Sequence, residues 1–184
     1  LEGFADIFDP GPGVAGTARL AFGHDGKLYV TTNGNDPQSL STLGGKVLRL
    51  NDDGSTPLDN PFSNQPGARG EIFSYGHRGA LGLAIHPETG EVYQNENGPN
   101  GGDELNLIKA GYNYGWPLVS LGRTYPGPWQ TNDRPTHAIF EPPLVYWTPA
   151  IAVSGMLFYT GDALHAWKGD IFVGALRTGE IPGT

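Results

Sequence analysis

The sequence predicts an all-β protein of the β-propeller type, and its composition supplies the first observation. Gly and Pro, at 29 and 16 of 184 residues, both disfavour helix interiors, so a helical bundle or coiled coil is excluded. Hydrophobic residues make up 38% and aromatic residues 11%, which is enough apolar surface for a packed core rather than disorder. The second observation is a series of short strand-like runs, and the third is their repetition along the chain.

Short apolar, β-branched or aromatic runs separated by turn residues are typical of strands. The first two runs flank Asp25-Gly26, a strong local hairpin signal. The runs that predict strands are residues 19–22, 28–32, 46–50, 71–75, 81–85, 91–94, 144–147, 155–159 and 170–176. Residues 33–45 and 121–143 are polar or rich in Pro, and we expect them to be loops of the kind that carry binding residues.

The hairpin at residues 19–30 recurs at 82–93, an offset of about 63 residues. A looser third copy covers residues 156–159 and 169–173. Repeated hairpins favour a β-propeller, in which one four-stranded blade takes ~40–50 residues. We therefore expect residues 1–184 to form a single partial propeller domain of about three to four blades without an internal linker. A β-sandwich is the alternative.

Charge and the missing residue types exclude several classes of protein. Eleven Lys and Arg against 19 Asp and Glu give a net charge of −8, which disfavours nucleic acid and anionic membranes as partners. The absence of Cys removes disulfides, thiolate nucleophiles and Cys-based zinc sites. No apolar run approaches the ~20 residues of a membrane span, and the first ten residues lack the features of a signal peptide. We expect both ends to be boundaries set by processing or cloning.

Acidic residues and glycines are densest in residues 95–117. Glu96, Asp103 and Glu104 are interleaved there with several glycines. Oxygen donors on a Gly-rich loop suit Ca²⁺, which takes about six to eight carboxylate, carbonyl and water ligands. The spacing is not that of an EF-hand, and the alternative interpretation is a polar turn that joins two blade strands.

Arg78 and His77 follow a predicted strand. An Arg at a strand end suits a carboxylate or quinone oxygen in a cleft, or it pairs with a neighbouring Asp. His77 fits a structural role better than that of a base. Ser-His-Asp hydrolysis and a Rossmann nucleotide site have no support, since their glycine-flanked motifs are missing. Tyr112, Tyr114 and Trp116 alternate, which predicts one strand face for blade contacts or for stacking a sugar or flat cofactor.

Five motifs in a fixed order carry a family likeness: GKVLRL at 45–50, DGSTPLDNPF at 53–62, SYGHR at 74–78, ENGPNGGDELN at 96–106 and GYNYGWP at 111–117. In these motifs the sequence resembles the soluble quinoprotein glucose/sorbosone dehydrogenases, including the aldose sugar dehydrogenases. The resemblance extends over about residues 17–176. It covers only the middle of the six-bladed propeller of that family.

The resemblance implies a cofactor site on top of the propeller that holds pyrroloquinoline quinone (PQQ) and Ca²⁺. It implies oxidation of an aldose to its lactone, with a His as base and with hydride passing to the quinone. The chemistry then belongs to the cofactor, which the protein orients and Ca²⁺ polarises. The family is usually exported, so the resemblance also implies a periplasmic or extracellular location.

The resemblance assigns roles to single residues by their position in the motifs. Arg78 matches an Arg beside the quinone oxygens, and Arg177 falls where a cation faces the carboxylates of the cofactor. Gly98 and Pro99 match positions whose carbonyls hold the Ca²⁺ of the cofactor, with Asn97 beside them in the cofactor site. The other expected metal-site residues are Asp103, just behind the site, and Glu104 with the carbonyl of Tyr114, at a second, structural Ca²⁺ position.

Departures from the family pattern cluster at the same pocket. Ala15 and its neighbours stand where the family has its His base, about four residues before Arg19-Leu20. Gly79 and Leu81 replace an Asn and a Gln. Asn97 stands where His or Gln is usual, and Ala150 where some members have Thr.

Two functions follow from this pattern of matches and departures. The first is oxidation of an aldose sugar with PQQ and Ca²⁺, reduced or lost in this chain for want of the base. The alternative is a catalytically inert propeller fragment that acts as a binding or self-assembling module. Unpaired blade edges would let such a fragment associate with a second copy or with a complementary propeller fragment. A hydrolase of similar shape is a third, weaker interpretation.

Overall fold

The structure is a computed structural model that describes residues 5–15, 19–123 and 139–177. Gly16 and most of the predicted loop 121–143 lie outside these residues. The described chain contains a short 3-10 helix, η1 (His165–Trp167), and eleven strands. The strands are β1 (Val14–Ala15), β2 (Leu20–Phe22), β3 (Leu28–Gly34), β4 (Lys46–Leu50), β5 (Ile72–Tyr75), β6 (Ala80–Ile85), β7 (Val92–Glu96), β8 (Asp103–Ile108), β9 (Val145–Trp147), β10 (Val153–Phe158) and β11 (Ile171–Ala175). Among the described residues, no helix has the length and apolar character to cross a membrane.

Three antiparallel sheets follow one another along the chain. The first has the order β2-β3-β4-β5, with β1 on the same edge of β3 as β2. The second has the order β6-β7-β8-β9, and the third consists of β10 and β11. Strand β6 contacts β2 and β3 on one side and β10 on the other, so the sheets pack in chain order. Successive four-stranded sheets of this kind are the blades of a propeller.

The hairpin repeat found in the sequence is confirmed by the register of the strands. Phe22 pairs with Leu28 in the first sheet, Ile85 with Val92 in the second, and Phe158 with Ile171 in the third. Each of these pairs closes the hairpin that begins its sheet. The repeat is therefore one structural unit used three times.

One strand lies within residues 95–117, where the sequence predicted none. Asp103–Ile108 forms β8, which pairs with β7 and β9, and the connecting turn is confined to residues 97–102. The polar side chains of Glu104 and Asn106 lie inward in this strand, and both residues are buried. Both faces of β8 are buried although polar and apolar residues alternate in part of it, so its polar residues concealed the strand.

The expectation of a shared strand face for three aromatic residues is also wrong. Tyr112, Tyr114 and Trp116 lie in the turns after β8 rather than in a strand. Tyr114 is buried and Tyr112 is about half exposed. This segment makes only an isolated bridge between Asn113 and Tyr75, so no strand carries the three aromatic side chains on one face.

Apolar side chains fill the space between the first two sheets. The core cluster there consists of Tyr29, Val47, Leu83, Val92, Ile108 and Tyr114. A second cluster, of Leu43, Leu48 and Ile72, packs with Val14, Val30 and other side chains. Burial of such side chains stabilises the fold by roughly 1.5–3 kcal/mol each, which fixes the sheets and the loops at their ends.

Candidate cofactor site

Three loops meet at one end of the first two sheets. Residues 76–79 continue from β5, residues 97–102 continue from β7, and residues 35–45 join β3 to β4. The amide of His77 donates to the carbonyl of Gly45 at 3.1 Å, and the amide of Asn97 donates to that of Gly79 at 3.0 Å. These backbone bonds tie the three loops together around one cleft.

Arg78 lies at the centre of the cleft. Its guanidinium Nη1 donates to the carbonyls of Asn97 and Gly98 at 3.0 and 2.9 Å, and its Cζ lies 5.2 Å from the centre of the Trp116 ring. Its backbone amide donates to the carboxylate of Glu96 at 3.0 Å. The guanidinium is thus fixed by carbonyls and an aromatic ring, and no Asp in the described part of the chain pairs with it. The cleft has an empty space of about 220 Å³, part of it open to solvent.

His77 occupies a structural position beneath the cleft. It is fully buried, and its two ring nitrogens lie 2.9 Å from Glu96 Oε2 and 2.8 Å from Ser74 Oγ. Its ring stacks on Tyr114 at 4.6 Å between centroids. Because both nitrogens are bonded and no water reaches them, His77 holds Glu96 in place rather than serving as a base for a substrate.

The loop between β7 and β8 is held by Asp103. One carboxylate oxygen of Asp103 accepts from the amide of Gly98 at 3.0 Å, and the other from the amide of Val153 at 3.3 Å. Asp103 is only 1% exposed, so it positions the Gly98 carbonyl from behind. Gly98 has no room for a side chain, since a Cβ there would collide with the carbonyl oxygens of Gly101 and Gly102. Direct metal binding by Asp103 and by the Pro99 carbonyl stays a prediction.

Buried carboxylates outnumber buried cations beside the cleft. Glu104 in β8 lies directly across from Glu96 in β7, and both are buried. Burial, and then the negative charge of Glu96, raises the pKa of Glu104 to about 8. Burial by itself would raise the pKa of Glu96, but hydrogen bonds from His77 and from other donors hold that pKa below its usual value.

The second acid therefore needs either a proton or a bound cation. Asn106 Oδ1, next to Glu104 in the strand, is buried without a hydrogen-bond partner in the described chain. Glu104 and Tyr114 both line the cleft, so an oxygen-rich set of donors is present there. Within the described residues, no three His, Asp or Glu side chains converge on one metal position, so backbone carbonyls would have to complete the ligand set for Ca²⁺.

The remaining expected site residues lie at the rim or outside it. Asn97 lines the cleft, and its side-chain amide donates to the carbonyl of Val153 at 2.8 Å. Arg177 is exposed, and its guanidinium lies 3.3 Å from the carbonyl of Ala150. Arg177 is not among the residues that line the cleft with Arg78. Its role towards a cofactor stays a prediction.

The positions that depart from the family pattern lie at the same end of the sheets. Ala15 in β1 pairs with Asn33, whose side chain accepts from the amide of Ala80 at 2.9 Å. Gly79 has space for a side chain, since a Cβ there would lie 3.7 Å from the carbonyl of Asn97. A His at position 15 and an Asn at position 79, as in the family pattern, would therefore lie near the cleft. The Asn would fit at position 79 without a steric clash.

The sequence indicated Trp116 only as one of three aromatic residues for blade contacts or stacking, and it gave no sign that the ring flanks Arg78 or that Gln38 supports it. Gln38 Nε2 donates to the carbonyl of Trp116 at 2.7 Å. The only available signal was the GYNYGWP motif, which contains Trp116 but does not say what the ring contacts.

The fold and the cleft together define a class: a β-propeller with an Arg-centred, oxygen-rich site at the end of its inner strands. A family model described as Glucose / Sorbosone dehydrogenase matches residues 1–183. The chain belongs to the glucose/sorbosone dehydrogenase family. The match confirms the family predicted from the five motifs, and the solved relatives confirm the fold class and exclude the sandwich.

Individual relatives agree with this assignment. The aldose sugar dehydrogenase YliI of Escherichia coli is 40% identical over 169 residues, which cover 89% of this chain and 45% of that protein. The crystal structure of the soluble aldose sugar dehydrogenase of E. coli in its apo form is 39% identical, with a TM-score of 0.87 over 96% of this chain and 53% of that one. The PQQ-bound aldose sugar dehydrogenase of Streptomyces coelicolor is 34% identical, with a TM-score of 0.63 over 86% of this chain and 41% of that one. The chain spans about half the length of these relatives.

Proposed function

We propose that this chain carries a cofactor site for PQQ and Ca²⁺, used for the oxidation of an aldose to its lactone. The observation that carries the proposal is the Arg78 guanidinium, fixed between Trp116 and the carbonyls of Asn97 and Gly98 in a partly open cleft. A relative described as a PQQ-bound aldose sugar dehydrogenase supports the choice of cofactor.

Arg78 would donate hydrogen bonds to anionic or quinone oxygens from a fixed position. Guanidinium groups favour such oxygens because they are planar and always charged. Trp116 would flank the same group with its flat ring, and Asp103 would hold the Gly98 loop in place. When bound, PQQ would supply the oxidising group for the sugar, and Ca²⁺ would supply Lewis acidity.

We would place calcium at two sets of oxygen donors. The carbonyls of Gly98 and Pro99 would hold the Ca²⁺ of the cofactor, and Glu104 with the Tyr114 carbonyl would hold a second ion. The buried pair of Glu96 and Glu104 supports the second site, because a divalent cation removes the cost of the second buried charge.

Among the described residues, no group is evident that would remove a proton from the sugar. His77 is buried and doubly bonded, and Ala15 stands at the expected position of the base. Loss of a general base typically slows a reaction by ~10²–10⁴. We therefore propose that cofactor binding persists while turnover is slow, and that a His at position 15 raises turnover.

The test uses dye-linked oxidation of glucose by the 184-residue chain after loading with PQQ and CaCl₂. We expect slow oxidation that needs both additions, and an increase of at least tenfold in the Ala15→His, Gly79→Asn double variant. Arg78→Gln should abolish the activity, whereas Arg69→Gln, a matched loss of charge at the Glu71 pair, should not. The proposal fails if no variant oxidises the sugar and PQQ does not bind at micromolar concentration.

A second candidate function is an inert propeller module that binds or assembles without catalysis. The substitutions at Ala15, Gly79 and Leu81 favour it, because all three remove polar groups from the pocket region. Absence of PQQ binding together with association in solution would select this alternative. An extracytoplasmic location, an aldose as the small-molecule partner, and the absence of nucleic-acid and membrane partners stay predictions.

A further inference from the structure

The loop between β3 and β4, residues 35–45, borders the candidate site without lining its cleft. It contacts the Arg78 loop through backbone bonds: the amide of Gly76 donates to the carbonyl of Pro37 at 3.0 Å. A Cβ at Gly76 would lie only 2.9 Å from Gln38 Nε2, so the two segments are in close contact. The position of this loop therefore bears directly on the position of Arg78.

A buried cation fixes the loop. Lys46 is fully buried, and its Nζ donates to the carbonyls of Asp36, Pro37 and Gly44 at 3.1, 3.0 and 2.6 Å. Three carbonyl acceptors match the three N–H donors of an ammonium group. The lysine thus holds the loop from within, and one of its acceptors, the carbonyl of Pro37, is also the acceptor for Gly76.

Gln38 extends from the fixed loop to the wall of the cleft. Its Nε2 donates to the carbonyl of Trp116 at 2.7 Å and to Asn113 Oδ1 at 3.1 Å. Its Oε1 accepts from Asn113 Nδ2 at 2.8 Å. Asn113 Oδ1 also accepts from the amide of Gly115 at 2.9 Å, so both amide side chains brace the turn that ends in Trp116.

The braced turn ends at the ring beside Arg78. The amide of Trp116 donates to the carbonyl of Gly76 at 2.9 Å, and the ring lies 5.2 Å from the Arg78 guanidinium carbon. Contact between an Arg and an aromatic ring is strengthened when both are shielded from water. The ring therefore limits where the guanidinium can move, and Gln38 limits where the ring can move.

We propose that Gln38 is a positioning residue that acts through Trp116 on Arg78. It touches neither the guanidinium nor the cleft, and Lys46 fixes the loop from which it extends. The consequence for PQQ affinity rests on the proposed function, whereas the placement of Trp116 does not.

The test compares Gln38→Met with Ser41→Ala, a control in the same loop whose exposed hydroxyl lies 2.9 Å from that of Ser39. The first readout is the indole N–H peak of Trp116 in an ¹⁵N correlation spectrum of the ligand-free chain, assigned with Trp116→Phe. We expect Gln38→Met to shift or broaden this peak and to leave those of Trp147 and Trp167 in place. The second readout is the Kd of PQQ in the presence of CaCl₂, which we expect to rise about fivefold to tenfold.

The outcomes separate the two proposals. An unmoved Trp116 peak in Gln38→Met would overturn the positioning role whether or not PQQ binds. A shifted peak with unchanged PQQ affinity would overturn the link to Arg78. If the wild-type chain binds no PQQ, the proposed function fails, and the spectrum alone decides the role of Gln38. Should Gln38→Met not fold, Gln38→Glu keeps the size and the acceptor oxygen but loses the donor to Trp116, and it must show the same shift.

Discussion

Glu104 is the single residue whose protonation links the site most directly to stability. Burial and the neighbouring Glu96 raise its pKa to about 8 in the folded chain, against 4.5 for an ordinary Glu. The folded state therefore binds this proton more tightly than the unfolded chain does. Its contribution to stability is complete below pH 4.5 and is lost as the pH rises through 8.

The raised pKa of Glu104 predicts that the effect of Ca²⁺ on thermal stability depends on pH. Without Ca²⁺, the Tm of the wild type should fall between pH 6 and pH 9, and that of Glu104→Gln should fall much less. Added Ca²⁺ should raise the wild-type Tm more at pH 8.5 than at pH 6, because the ion competes with the proton for Glu104. Thermal unfolding with and without EGTA measures both effects. Exposed Glu91→Gln serves as control, and an equal fall in Glu104→Gln would contradict the assignment.

Replacement by Ala should have different effects on stability and PQQ binding at two glycines in the site region. At Gly98 a Cβ would collide with the carbonyls of Gly101 and Gly102, whereas at Gly79 the nearest atom would be 3.7 Å away. Gly98→Ala should lower the free energy of unfolding by about 1–3 kcal/mol and remove PQQ binding, because the loop must shift. Gly79→Ala should do neither. Urea unfolding and PQQ titration of the pair check this, and similar behaviour of the two variants would argue against the loop geometry.

Arg78 and Gly98 could be predicted as site residues because each belongs to a motif that is one unbroken run of the sequence. The sequence did not predict the supports of the site. The contact between Gln38 and Asn113 joins residues 75 positions apart, and neither residue type identifies the other as a partner. Such pairings are set by how the sheets pack, so they become visible only in three dimensions.

Strands were predictable to the extent that they follow an apolar or alternating pattern. The hairpins β2–β3 and β6–β7 have such patterns and were found, with their repeat. Strand β8 was missed because its inward residues, Glu104 and Asn106, are polar and face other buried polar groups. An alternating pattern presumes an apolar interior, and beside this site the interior is polar.

Strand β4 carries an Arg that holds several loops together at the end of the first sheet away from the site. Its Arg49 is almost buried and contacts Asp25 and Asp59, each at 2.9 Å, together with Asn60. Arg49→Gln should lower the free energy of unfolding by about 1–3 kcal/mol. We expect a smaller loss than for a fully buried ion pair because the Asp59 side chain is 70% exposed. Arg69→Gln, whose side chain is 39% exposed beside Glu71, should cost less than about 1 kcal/mol. Equal losses in urea unfolding would contradict the role of Arg49.

The whole molecule has apolar side chains exposed at both ends of its row of sheets. Leu20 and Phe22 are 63% and 61% exposed on the first sheet, and Leu157 and Phe172 are 55% and 39% exposed on the third. In a propeller, faces of this kind pack against the next blade. Exposed apolar patches promote association in water.

We therefore predict that the 184-residue chain associates in solution at micromolar concentration. Light scattering coupled to size exclusion should give a mass above the 19.6 kDa of the single chain, and Phe22→Lys with Leu157→Lys should reduce it. Lys109→Glu, a change of charge away from these faces, is the control. A strict monomer at all concentrations would refute this prediction.

The central claim is that the Arg78 cleft is a site for PQQ and Ca²⁺. A crystal structure of the chain grown with both would test it most directly. We expect the quinone beside the Arg78 guanidinium and the Trp116 ring, with a Ca²⁺ ion on the carbonyls of Gly98 and Pro99. A quinone bound elsewhere on the chain, or a cleft that stays without it at saturating concentration, would show that the Arg78 cleft is not the cofactor site.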